Sequence, residues 1–198
     1  MKYPNIFHIG CLKSGTTTLQ EYLAQDERIN LILKSRYFNT SKWDTENYEY
    51  SNSEKINIES DENISRKFKK LLGLEEALKR IQQVAPDAKI ILTIREQKSA
   101  ILSMYKHFIR QTNSTLNLNE FLKAEEGKSY LDTIFYYDTY KLINTYFKKS
   151  NIYIYFFENM FTNWDDFIST FYHEIFNIEI DICRRPGFRH HRTDPGWQ

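Results

Sequence analysis

The segment Gly10-Cys11-Leu12-Lys13-Ser14-Gly15-Thr16-Thr17-Thr18 constrains this chain more than any other. An apolar run from Ile6 to Ile9 precedes it, and Leu19, Tyr22 and Leu23 follow at helical spacing. Residues 5–10 therefore read as a short buried strand and residues 16–24 as a helix, joined by a turn at residues 10–15. In such a turn the backbone amides and the positive end of the helix converge on an anion. Gly10 and Gly15 give the backbone the freedom and close approach the turn needs. Three threonine hydroxyls at the helix start are placed to donate to phosphate oxygens. The segment reads as a phosphate cradle.

The spacing is that of a nucleotide-binding phosphate loop with one change. An ATP or GTP loop carries lysine directly after its second glycine. Here Thr16 holds that position, and Lys13 stands ahead of Gly15 instead. Lys13-Ser14-Gly15-Thr16-Thr17, with the match continuing through Leu19, resembles the 5′-phosphosulfate loop of the sulfotransferase superfamily, closest to its bacterial and glycan-directed members. The resemblance implies that Lys13 contacts the bridging or leaving oxygen of the donor 3′-phosphoadenosine 5′-phosphosulfate (PAPS). It also implies that Ser14, Gly15, Thr16, Thr17 and Thr18 hold the 5′-phosphate.

A second element carries the same resemblance. In the family an arginine ending a later strand and a serine further along the next helix clamp the donor's 3′-phosphate, which implies that role for Arg95 and Ser103. Residues 90–108, IILTIREQKSAILSMYKHF, hold Arg95, Ser103, Tyr105 and His107 in the family's order and depart from it at Gln97, where proline is common. Ser99, Ser103 and His107 recur at every fourth position and share one helix face, with Lys106 and Arg110 nearby. This polar stripe faces the crevice at the carboxyl ends of the strands, where open α/β sheets bind ligands.

Sulfuryl transfer requires positioning, positive charge on the departing phosphate oxygen and a base for the acceptor's proton. Lys13 supplies the charge. Glycan-directed relatives carry a glutamate three residues before an aromatic pair. In Leu33-Lys34-Ser35-Arg36-Tyr37-Phe38 the pair is present as Tyr37 and Phe38, read as an acceptor platform, but Lys34 stands where the glutamate would be. His107, His8 and a carboxylate such as Glu46 or Glu49 are left as candidate bases. His107 is preferred, since histidine titrates near neutrality and His107 adjoins a motif residue. His173, Cys183, His190 and His191 fit no common metal spacing, so no metal is expected. Arg184, Arg185, Arg189 and Arg192, set among Pro186, Gly187, Pro195 and Gly196, resemble the family's basic glycine loop only loosely. Because the family continues with further helices, the resemblance implies a shortened C-terminus.

The rest of the chain alternates helical and strand patterns. Strands are expected near residues 29–33, 89–94 and 152–157, and helices near residues 64–84, 99–110, 130–147 and 164–176, with a polar connector at 111–119. Residues 39–63 are polar without sustained period and read as a loop or lid. The fold class is α/β: a three-layer sandwich with a central parallel sheet, like the P-loop NTPases, forming one domain over residues 1–198. With 27 basic and 26 acidic residues the net charge is +1, which gives no global pull toward nucleic acid or anionic lipid. No apolar run reaches the ~18 residues of a membrane span. The first apolar run begins too close to Met1 for a signal peptide, and two cysteines form no disulfide framework, so the cytoplasm is expected.

The function these features imply is transfer of a sulfuryl group from PAPS to a hydroxyl or amine of a carbohydrate or other small acceptor, leaving 3′-phosphoadenosine 5′-phosphate (PAP). A small-molecule kinase using ATP and magnesium is the alternative within enzymes. It is disfavoured by Thr16 and by the lack of an aspartate placed to hold magnesium after a strand. A non-catalytic PAPS-binding or PAP-binding descendant is the alternative outside enzymes, with Lys34 and the short C-terminus in its favour.

Overall fold

The computed structural model describes residues 3–33, 38, 52–64 and 73–180. Five strands, β1 (Ile6–His8), β2 (Ile29–Leu33), β3 (Ile56–Ser60), β4 (Lys89–Ile94) and β5 (Ile152–Phe156), form one sheet in the order β2-β3-β1-β4-β5. Every pairing is parallel. The α-helices among the described residues are α1 (Thr16–Leu23), α2 (Leu74–Val84), α3 (Gln97–Thr112), α4 (Leu118–Lys123), α5 (Glu125–Thr133), α6 (Tyr136–Tyr146), α7 (Phe157–Thr162) and α8 (Trp164–Phe176).

Side chains alternate across a strand, and both faces of this sheet are covered. Phe7, Ile9, Ile90 and Leu92 point to one side, where Ala77, Leu78 and Ile81 of α2 and Ile143 of α6 meet them. Ile6, Ile58, Ile91 and Tyr155 point to the other, against Leu19, Tyr22 and Leu23 of α1 and an apolar face of α8 running from Trp164 to Ile175. Each leucine, isoleucine or phenylalanine among them contributes roughly 1.5–3 kcal/mol on burial. The result is the expected α/β three-layer sandwich. A smaller cluster of Leu12, Ala100, Tyr130 and Ile134 fastens α3 and α5 to the loop after β1.

Two expectations need correction. Residues 39–63 were expected to be loop throughout, yet Ile56–Ser60 is β3, hydrogen-bonded between β1 and β2. Its polar residues are buried and satisfied: Asn57 Oδ1 accepts from Asn30 Nδ2 at 2.7 Å, and Ser60 Oγ accepts from Gln20 Nε2 at 2.8 Å. Residues 130–147 form α5 and α6 rather than one helix. Ile134 is buried beside the loop and Ile143 in the core under the sheet. At about 3.6 residues per turn these two would face opposite sides of a continuous helix, so the break lets both be buried.

Candidate active site

The loop after β1 is held by its neighbours before any ligand is considered. Ile9 N donates to Ile91 O at 2.9 Å and Cys11 N to Thr93 O at 3.0 Å, so the chain follows β4 past the end of β1. A Cβ on Gly10 would lie 2.1 Å from Thr93 Oγ1 and 2.8 Å from His8 Nε2, which no side chain tolerates. The loop then turns through left-handed backbone at Lys13 (φ 65°) and at Gly15 (φ 82°), the residue that opens α1. For lysine this conformation costs of the order of 1 kcal/mol.

Beneath the loop runs a chain of hydrogen bonds whose direction follows from counting protons. Ser14 Oγ donates to Cys11 O, so Thr93 Oγ1, 2.8 Å away, donates to Ser14 Oγ. His8 Nε2 must then donate to Thr93 Oγ1 at 3.1 Å, and His8 Nδ1 accepts from Ser60 Oγ at 2.9 Å. The ring is neutral with its proton on Nε2. Burial pushes its pKa down to about 4.

Above the loop lies a cavity of about 670 Å³. Lys13, Gly15, Thr16, Thr17 and Thr18 line it from the loop and α1, Arg95 from the end of β4, and Ser103 and His107 from α3. The polar stripe read on α3 thus reaches the crevice through two of its three members. The third, Ser99, orients Arg95: its Oγ accepts from Arg95 Nε at 3.0 Å and donates to Glu96 O at 2.9 Å. The Glu96 carboxylate in turn caps α3, accepting from Lys98 N and Ser99 N. Arg95 also donates from Nη1 to Lys13 O at 3.2 Å, and its guanidinium lies 4.1 Å from the centre of the Phe157 ring.

The electrostatics of the cavity are shared among few groups. Burial lowers the Lys13 pKa, Glu62 opposes that, and Arg110 and Arg95 add to it. Burial also lowers His107, as do Lys13 and Arg110, while Glu62 again opposes. All but Glu62 thus favour the neutral ring of His107. Burial pushes the Cys11 thiol up to about 12, which leaves it unreactive.

Several expected site residues stand elsewhere. Ser14 is fully buried, spends its hydroxyl within the loop and does not line the cavity, so its side chain shapes the cradle from beneath. Phe38 is fully buried in the core, edge-on to Phe7 at 5.2 Å between ring centres, and offers no face to an acceptor. His8 lies under the loop, away from the cavity lining. Tyr37, Lys34, Glu46, Glu49 and the arginines beyond residue 180 lie outside the described residues. Among the described residues no group of three or more His, Cys, Asp or Glu side chains is gathered to hold a metal ion. No helix among them is long and apolar enough to cross a membrane.

Several residues of the lining belong to neither motif, and three of them stand beside the phosphate loop. Glu62 follows β3 and accepts a hydrogen bond from Thr16 Oγ1 at 3.1 Å. Phe157 and Phe161, at one turn's spacing on α7, lie 4.5 Å apart between ring centres with their planes tilted by 40°, and form the wall beside Gly15. An aromatic pair spaced i, i+4 directly after a strand was the available signal. For Glu62 the signal was weaker, a carboxylate just past the alternating isoleucines of β3.

Residues 4–173 match the family described as "Sulfotransferase domain". Among solved structures, a sulfotransferase from Alicyclobacillus acidocaldarius superposes with TM-score 0.74 at 18% identity, covering 90% of this chain and 84% of that one. A mouse sulfotransferase, SULT7A1 complexed with PAP, superposes with TM-score 0.57 at 18% identity, covering 92% of this chain and 60% of that one. At these identities the likeness establishes the fold. A search of curated protein sequences finds no match.

Proposed function

Since the chain belongs to the sulfotransferase family, whose domain it matches over most of its length, we propose that the cavity transfers the sulfuryl group of PAPS to a hydroxyl or amine of a carbohydrate or other small acceptor. One observation carries this reading: Lys13 and Thr16–Thr18 line the same cavity as Arg95 and Ser103. A nucleotide with phosphates at both its 5′ and 3′ positions matches two such grips. The aromatic pair Phe157 and Phe161 beside Gly15 offers ring surface to an adenine, which stacks on aromatic faces.

Lys13 stabilises the charge that develops on the departing phosphate oxygen, aided by the N-terminus of α1. Arg95 arrives already oriented, with two of its five N–H donors fixed by Ser99 and Lys13, which leaves the others for the 3′-phosphate. His107 accepts the acceptor's proton. Met104 and Phe108, mixed with Arg110, Gln111 and Ser129 on the same lining, combine apolar surface with hydrogen-bonding groups in the way sugar binding requires.

The test is binding of PAP and of ATP by calorimetry to the wild type, Lys13→Ala and Arg95→Ala. PAP is expected to bind in preference, with each variant weakening it roughly 10- to 100-fold, the loss of a charge-assisted contact. ATP, which lacks the 3′-phosphate, is expected to be insensitive to Arg95→Ala. A preference for ATP would overturn the reading in favour of a kinase.

A further inference from the structure

Glu62 is a carboxylate inside an anion site. It follows β3 and lines the cavity with Lys13 and His107. Its Oε2 holds the hydroxyl of Thr16, one of the groups offered to the donor's 5′-phosphate. A negative charge there repels phosphate and competes for a donor hydrogen, so it lowers nucleotide affinity. A residue with that cost invites a role elsewhere in the cycle.

The other charged groups on the lining, among the described residues, are Lys13 from the loop, Arg95 after β4, Arg110 beside His107 on α3, and Glu126 on α5. A proton on His107 creates a further cation in the company of Lys13, Arg95 and Arg110. Lys13 and Arg110 oppose that protonation, and Glu62 favours it. Resting on the reading that this cavity performs sulfuryl transfer with His107 as proton acceptor, we infer that Glu62 is a positioning residue for the proton-transfer step, its carboxylate offsetting the charge that His107 acquires. In that step the acceptor's O–H or N–H proton passes to a ring nitrogen of His107. The electron pair of the acceptor atom forms the new bond to sulfur. The old S–O bond breaks with its pair left on the phosphate oxygen beside Lys13. The same carboxylate that weakens donor binding thus stabilises the product of proton transfer.

This trade gives effects of opposite sign that a purely structural role would not produce. The experiment uses the full chain as wild type, Glu62→Gln and Glu62→Asp, with PAP as the probe in calorimetry. The His107 ring resonance is followed by NMR across pH and identified by its loss in His107→Asn. Glu62→Gln is expected to tighten PAP about three- to tenfold and to move the His107 midpoint down by about half to one pH unit. Glu62→Asp, which keeps the charge, is expected to leave both close to wild type. Weaker or unchanged PAP binding in Glu62→Gln, or an unmoved His107 midpoint, overturns the inference while PAP binding by the wild type leaves the transfer reading in place. Failure of the wild type to bind PAP overturns that reading and the inference with it.

Discussion

Between Ser60 and Thr93, with 1% of its surface exposed, His8 uses both ring nitrogens in a one-way chain of hydrogen bonds ending at Cys11 O. Protonation would make Nδ1 a donor and force the Ser60 hydroxyl to turn away, which adds to the cost of charging a buried ring. Its folded pKa, near 4, therefore lies below the 6.5 of an ordinary histidine. The sign of the linkage follows: above pH 6.5 neither folded nor unfolded chain holds this proton. Between pH 6.5 and 4 only the unfolded chain binds it, so stability falls with falling pH. The expected loss from this residue is about 3 kcal/mol across that window. His8→Asn should flatten the pH dependence there, checked by urea unfolding of both proteins at pH 7 and pH 4.5. An equally steep loss in the variant would show that other groups carry it. Ser14 belongs to the same chain, which is why a residue of the phosphate-loop motif serves the loop's shape from below.

At the level of elements, what could be read in advance depended on whether a segment's own pattern decided its fate. β2, β4, β5 and α8 follow from apolar runs or from sustained helical periodicity, and the structure places them as expected. β3 does not, because only two isoleucines mark it and its place between β1 and β2 is a property of its neighbours. Missing β3 meant missing Glu62, which stands at its end. The helix expected over residues 130–147 misled differently: it divides into α5 and α6 because different partners bury Ile134 and Ile143, and α4 ahead of it went unread. One signal was nevertheless present. Asn117 accepts from Glu120 N while the Glu120 side chain accepts from Asn117 N, a reciprocal cap that starts α4. Asn117→Ala should cost about 1 kcal/mol and lower the melting temperature by roughly 2–4 °C in a thermal scan. A variant that melts with the wild type would mean that the packing of Phe121 against Phe108, at 5.0 Å, holds α4 alone.

Across the whole molecule, the sheet's carboxyl edge gathers contributions that are distant in sequence. The loop after β1, Glu62 after β3, Arg95 after β4 and Phe157 after β5 meet at one cavity, and α3, α4 and α5 close its far side. The Lys13 and Arg95 motifs were legible because each is a local pattern at a strand end; their convergence comes from β1 and β4 being neighbours in the sheet. That adjacency is tightened by the bond from Arg95 Nη1 to the Lys13 carbonyl, with the guanidinium pressed against Phe157. If the cavity holds the nucleotide as proposed, this tie makes the two grips a caliper that gauges the span of a ligand as well as its charge. Adenosine 2′,5′-bisphosphate has the same charge and the same atoms as PAP but sets its ribose phosphate one carbon away. A fixed gauge should reject this isomer by about tenfold or more in a competition titration, the penalty of misplacing one charge-assisted contact. Equal binding of the two isomers would mean that the jaws move apart, and selection between nucleotides would then rest on charge alone.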